Sequence, residues 1–238
     1  MKANKHFLAV ALCACGVSVM TTSSAELYER NGGTMIYDSD QDITWLADAN
    51  YAATLYETSC GEKGVEDGRM GNPSAQEMVK NMRFGGYTDW RLPVTEEVDE
   101  TCQVHSVTGS SSYGCSGGEM GSLFYHALGG KAKHRLTQTH NSNYSKFRNV
   151  QSGTYWTGTD FSPVPQIGMN FQTSDGAQNA NSKSVKLLVW PVRDGDVDAS
   201  SHGDNHNPSS WGSDEAWMKW KKQQRYHNQC DKGSVSKH

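Results

Sequence analysis

Beyond its first twenty or so residues the chain has no long hydrophobic run, no closely spaced cysteine pair and no surplus of positive charge. Without a second apolar stretch of about 20 residues, nothing after position 25 is suited to span a bilayer as a helix. Cys60, Cys102, Cys115 and Cys230 stand too far apart for the paired spacing of a structural zinc site. No Cys-x-x-Cys-His is present, which excludes covalent haem. His-Glu-x-x-His, the phosphate loop and the dinucleotide fingerprint are also missing, so the chain is expected not to be an enzyme and to need no cofactor. The formal net charge is −4, so nonspecific attraction of the whole surface to polyanions, nucleic acid included, is not expected.

What is present begins with an export signal. Lys2 and Lys5 precede an apolar run from Phe7 to Met20, and small residues end at Ser23-Ser24-Ala25, the layout of a cleaved secretory leader over residues 1–25. Lipidation at Cys15 is the alternative, since Leu12-Cys13-Ala14-Cys15 loosely resembles a lipoprotein processing site. Removing residues 1–25 takes away two lysines and no acid, so −4 falls to −6 for the mature chain. A secreted, periplasmic or cell-surface location is expected. The four cysteines that remain are an even number bound for an oxidising compartment, and two disulfides are expected. Three pairings are open; Cys102 and Cys115 bracket a Ser/Gly-rich loop that closes easily, which would leave Cys60 for Cys230.

Leu27 to Arg30 and Thr34 to Tyr37 flank Asn31-Gly32-Gly33, a hairpin signal, and Ile43 to Leu46 reads as a third strand. Residues 52–73 lack periodicity and contain four glycines, which predicts an insertion loop. Pro73, then Ser74 with Glu77 as a capping box, and Ala75, Met78, Val79 and Met82 at helical spacing predict a helix that Gly85-Gly86 ends. A second helix is predicted from about Gly118 to Leu128. Strands follow at Thr154 to Thr159, around Ile167, Met169 and Phe171, and from Val185 to Arg193 after a polar loop holding Asp175-Gly176. Two helices in the middle and strands at both ends imply an α+β domain over 26–198. Residues 199–238 turn to Ser, His, Asn, Asp and Gly, a polar linker before a short basic tail.

Five blocks in order, Gly33 to Tyr51, Gly86 to Pro93, Gly118 to Gly121, Tyr155 to Thr159 and Trp190 to Gly195, resemble the Lcl C-terminal domain family of bacterial secreted proteins. The resemblance covers roughly residues 26–198. It implies a C-type-lectin-like single domain with short antiparallel sheets, long loops and disulfides, and its best-known member is the tip of a collagen-like adhesin that binds sulfated glycosaminoglycans. This chain has no collagen-like Gly-X-Y region, so a trimeric stalk is not implied.

Several residue groups offer chemistry. Asp89, Trp90, Arg91 and Pro93 suit either a sugar site or a locked structural cluster, and the cluster, with Arg91 paired to a buried acid, is expected. Trp45, Trp156 and Trp190 lie in strand-like segments and are assigned to the core. Asp38, Asp40 and Asp42 alternate in a loop and could converge on calcium, but without the central glycine and terminal glutamate of the twelve-residue calcium loop they read first as an Asx turn. His202 and His206 are read as part of a solvated tail.

Trp217, Trp220, Lys219, Lys221, Lys222 and Arg225 form a short basic, aromatic segment; from Trp217 to His238 six Lys/Arg face one acid, Asp231. It could contact an anionic ligand or pack back on the domain. Cys102 and Cys115 could imitate the paired cysteines of lectin-fold oxidases, but a plain disulfide is the better expectation. The sequence therefore leads to an exported, non-enzymatic adhesion module in which loops 52–73, 102–117 and 131–153 meet a glycan or surface protein. The second reading is an accessory subunit of a surface assembly, a homo-oligomer included, docking through residues 199–238.

Overall fold

The computed structural model describes residues 26–105 and 111–197. In chain order the elements are β1 (Leu27–Arg30), β2 (Met35–Asp38), β3 (Ile43–Leu46), α1 (Tyr51–Thr58), α2 (Asn72–Asn81), β4 (Ser111–Tyr113), α3 (Glu119–Ser122, continued by a π turn through Leu123–Ala127), β5 (Thr154–Asp160), β6 (Ile167–Gln172), β7 (Ala177–Ser182) and β8 (Val192–Asp194). They make an α+β fold with two four-stranded antiparallel sheets, ordered β1-β2-β3-β8 and β4-β7-β6-β5.

Strand alternation explains where the core sits. Side chains on a strand point to opposite faces in turn. Ile36, Trp45 and Tyr155 enter one apolar cluster with Leu123, Phe124, Phe147, Phe171 and Trp190, over which α3 lies. Their chain neighbours Met35, Leu46 and Trp156 enter a second cluster with Val79, Met82, Trp90 and Leu187, closed by α2. Strands β2, β3 and β5 therefore serve two cores at once, and β3 is buried at all four positions. The β1–β2 turn works because Asn31, Gly32 and Gly33 take φ of 46°, 65° and 76°, values that cost glycine little.

The predicted hairpin, third strand, α2 stripe, α3 and the strands β5 and β6 are all present. Other expectations need correction. The described residues hold three helices, not two: α1 occupies Tyr51–Thr58, inside the segment read as an insertion loop. Only Ala52 of α1 is buried, so no apolar stripe announces it. Its start is organised by the buried Asp48 carboxylate, which accepts from the Asn50 backbone N–H (3.0 Å) and the Thr54 hydroxyl (2.7 Å).

Helix α2 starts at Asn72, two residues before the expected cap, so the Ser74–Glu77 capping box does not form. Extended Gly71 is the N-cap and Pro73 falls in the first turn, where its missing N–H costs nothing. Ser74→Ala is thus expected to change stability by less than about 0.5 kcal/mol, where loss of a true cap costs about 1 kcal/mol; a urea unfolding curve measures the difference. The helix also ends at Asn81, and Gly85-Gly86 instead forms the tight turn between Phe84 and Tyr87.

The expected Val185 to Arg193 strand is in the sheet only from Val192, because Pro191 has no N–H to donate and contributes only its carbonyl, to Leu46 N at 3.0 Å. Before it, Leu187 and Leu188 make single bridges to Met70 and Tyr155. Strand β7, the polar run Ala-Gln-Asn-Ala-Asn-Ser, lies within the stretch read as a polar loop. No helix of the described residues is long and apolar enough to cross a membrane. Residues 199–238, read as linker and tail, lie outside the described residues, as do residues 1–25, read as a leader.

Candidate functional site

The Asp89 to Pro93 cluster is structural. Arg91 forks onto Glu119 (2.8 and 2.7 Å) and reaches Asp194 (2.9 Å from Nε), and the Glu119 carboxylate also accepts from Val94 N at 2.6 Å. Glu119 is half-buried, so the expected buried acid is in place only in part. Hydrogen bonds donated to Glu119, and secondarily to Asp194, push the Arg91 pKa up against the cost of burial, so its charge is fixed. Arg193 makes a matching fork to Asp89 (3.0 and 2.8 Å) over the face of Tyr87, 4.2 Å away, and those bonds hold Asp89 below the ordinary carboxylate range. Trp90 and Pro93 are buried. Trp156 and Trp190 are fully buried, with their indole N–H groups donating to Met70 O and Leu46 O, both at 2.8 Å. Together these contacts tie β8, α3 and the start of the loop at Val94 into one frame.

Two loops of opposite charge leave that frame. Residues 92–130 contain five acids, Glu96, Glu97, Asp99, Glu100 and Glu119, and no Lys or Arg. Residues 120–159 contain five Lys/Arg and no acid at all. The overall charge conceals this division, and a charge count along the chain would have revealed it.

The acidic loop is closed by the Cys102–Cys115 disulfide. Buried Asp99 braces it by accepting from Thr101 N (2.9 Å) and Gly117 N (3.0 Å), and Thr95 pins its first residues to β7 through Gln178 (2.6 Å). Gln178 also donates to Glu96 O (2.9 Å), and between this attachment and β4, which pairs with β7, the loop and the sheet line a cleft of about 240 Å³. Asp99, Cys102 and Cys115 offer ligand atoms within 4.8 Å of one another, but both sulfurs are spent in the disulfide. Cys60 is disulfide-bonded as well; Cys230, its expected partner, lies outside the described residues.

The basic loop, residues 131–148, is laid over the end of α3. Asn141 and Asn143 side chains donate to Ala127 O (3.0 and 3.1 Å), and backbone N–H groups of Lys133, Leu136 and Arg148 bond to Asp175 O, Thr173 O and Ala47 O. With buried Leu136 and Phe147 turned inward, Lys131, Lys133, His134, Arg135, His140 and Arg148 are left exposed. Among the described residues no carboxylate lies within 4.0 Å of Lys131, Lys133, Arg135 or Lys146. Arg148 is 3.8 Å from Asp48. Lys133 Nζ sits 5.7 Å from the centre of the Tyr113 ring, and His140 stacks on Tyr144 at 4.0 Å.

The family model of the Lcl C-terminal domain matches residues 34–193. The chain belongs to the Lcl C-terminal domain family. Both charged loops, Arg91 and Glu119 fall inside the matched span, and Asp194 stands one residue beyond it. No curated protein matches the chain. No solved structure matches it either.

The three aspartates considered for calcium do not converge in this Lcl domain; among the described residues they form no group within 4.8 Å. Asp38 is buried and turns one carboxylate oxygen onto Asp40 N and Gln41 N (3.1 and 3.4 Å), the expected Asx turn. Burial lifts its pKa above the ordinary carboxylate value against those two N–H groups. Asp42 instead accepts from the Tyr37 hydroxyl at 2.9 Å, and Asp40 is exposed. Trp217, Trp220, Lys221, Lys222 and Arg225 lie outside the described residues.

One motif passed over in the sequence is Gly114-Cys115-Ser116-Gly117-Gly118, which has the letters of the Gly-x-Ser-x-Gly nucleophile turn and stands between β4 and α3. Its geometry differs. The positive φ falls on Gly114 (74°) and not on Ser116, and among the described residues no histidine hydrogen-bonds Ser116.

Proposed function

We propose that this protein is an exported, non-enzymatic recognition module that uses a C-type-lectin-like scaffold to bind an anionic, sulfated glycan through the loop at 131–148. The observation that carries this reading is the set of exposed cations, Lys131, Lys133 and Arg135 with half-buried Lys146 beside them, that no carboxylate among the described residues neutralises. A structural role would spend such charges on ion pairs, as Arg91 and Arg193 are spent. Unspent cations on a braced loop, with a stacked His140–Tyr144 pair as a flat apolar surface, suit a repeating sulfated polymer. The resemblance noted above, to a family with a glycosaminoglycan-binding member, points the same way. A net negative chain is no obstacle, because charges farther away than about 8–10 Å are screened at physiological salt.

The test is binding of the oxidised mature protein to immobilised heparin and to desulfated heparin as salt is raised. Binding should require sulfate and weaken with salt. Three lost contacts of about 0.5–1 kcal/mol each predict that Lys131→Glu/Lys133→Glu/Arg135→Glu lowers affinity about tenfold or more. Equal binding to both polymers, or an unchanged triple variant, would overturn the proposal.

A further inference from the structure

The cleft under the acidic loop has the opposite character from the basic face. The second sheet lines it with Met169 and Ala180 beside the polar Ser111, Ser112, Gln178 and Asn179, Phe161 closes one side, and Glu97, Asp99 and His105 come from the loop. Val98 stands at its edge, 76% exposed, and Val104, 48% exposed, lies on the same loop. Glu96 and Glu100 are exposed on the same loop. Asp99 is committed to Thr101 and Gly117, and Glu97 holds the 161–166 turn through Ser162 Oγ at 2.6 Å. A cleft with Phe161, Met169 and Ala180 for apolar contact and an acidic loop along its edge fits a cationic segment that carries an aromatic anchor.

We infer that the occupant is the chain's own segment from Trp217 to Arg225, docked in cis. Charge complementarity is the first reason. The segment carries Lys219, Lys221, Lys222 and Arg225 with no acid between them, and it offers Trp217 and Trp220 as anchors. The cleft's own loop has four acids within Glu96 to Glu100.

Tethering is the second reason. The described residues end at Val197, three residues after Asp194, and Asp194 is joined through Arg91 to Glu119 and so to Val94, where the acidic loop begins. Residues 198–216 can span up to about 60 Å, enough to reach any part of a domain this size. At the other end Cys60 is disulfide-bonded, and with Cys102 and Cys115 joined to each other, Cys230 is the cysteine of the mature chain left for it. A segment held from both sides meets its own domain at an effective concentration that a second molecule does not match. The tail thereby covers the exposed valines and neutralises the acidic loop, leaving the face at 131–148 as the exposed charge of the domain.

The test is carbodiimide cross-linking of the full mature chain, which joins a lysine to a carboxylate only at contact distance, read by peptide mass spectrometry. Cross-links should connect Lys219, Lys221 or Lys222 to Glu96, Glu97 or Glu100 within one chain, in a yield independent of protein concentration. Glu96→Lys/Glu100→Lys should abolish them, and adding Lys219→Glu/Lys221→Glu/Lys222→Glu should restore them with the polarity reversed. Trp217→Ala/Trp220→Ala, which lies outside the span of the family domain, should lower the yield several-fold. Cross-links found only between chains, only at other acids, or not at all would each overturn the inference.

Discussion

Trp190→Ala should cost about 3–5 kcal/mol, the range for deleting a buried indole, and in a domain whose whole stability is about 5–15 kcal/mol that is enough to leave a large fraction unfolded on mild heating. Three facts make Trp190 the position of greatest expected loss. It is fully buried at the junction of the first core cluster, where its ring meets those of Trp45 (5.6 Å), Phe147 (5.2 Å) and Tyr155 (5.5 Å). Those neighbours come from β3, the basic loop and β5, so a cavity there loosens both sheets and the proposed site together. Its indole N–H also satisfies Leu46 O. Trp190→Phe separates the contributions: it keeps much of the ring packing and forfeits the hydrogen bond, for an expected cost of about 1–3 kcal/mol. Urea unfolding followed by far-ultraviolet circular dichroism gives both numbers. A loss below about 1 kcal/mol for Trp190→Ala would mean that the junction is not the keystone that its contacts suggest.

How much of this was legible in the sequence depended on whether a residue's role is local. The hairpin at Asn31-Gly32-Gly33 and the two-residue alternation of Ile167, Met169 and Phe171 are visible because turn chemistry and strand period are local properties. The burial of Trp45, Trp156 and Trp190 followed from their strand-like surroundings. Strand β7 was illegible for the converse reason. Its Asn and Gln side chains find partners outside the strand, Asn181 on Asn170 of β6 (3.0 Å) and Gln178 on Thr95 of the acidic loop (2.6 Å), so a polar sequence becomes an interior strand only once its partners are in place. Helix α1 escaped notice because a buried acid, Asp48, organises its start and no apolar stripe marks it. The candidate site itself was hidden by averaging. Counting charge over the whole chain gives −4, whereas the folded domain sorts acids and cations into separate loops, and only the positions of Leu136 and Phe147 show which side of 131–148 faces out.

Gly121→Ala sets two local effects against each other, and the structure decides between them. On helix propensity alone alanine is better than glycine by about 1 kcal/mol, so an isolated α3 would be strengthened. Here the helix lies directly on the end of the disulfide loop. A Cβ on Gly121 would run into the carbonyl oxygen of Cys115, lie 3.0 Å from its carbonyl carbon and 3.2 Å from Ser116 Cα. All three are backbone atoms, so no side-chain rotation relieves the overlap, and α3 must move. Moving it strains the Glu119 N to Val94 O bond (2.9 Å) and the fork from Arg91, the contacts that hold the acidic loop to the frame. The expected net effect is destabilisation by about 3 kcal/mol, the upper part of the range for overpacking, rather than a gain. The same displacement should open the loop, so that the Cys102–Cys115 disulfide is reduced and alkylated faster under mild reductant than in the parent protein. Stabilisation, with unchanged disulfide reactivity, would show that α3 can slide over the loop without cost and that the frame is softer than its hydrogen bonds imply.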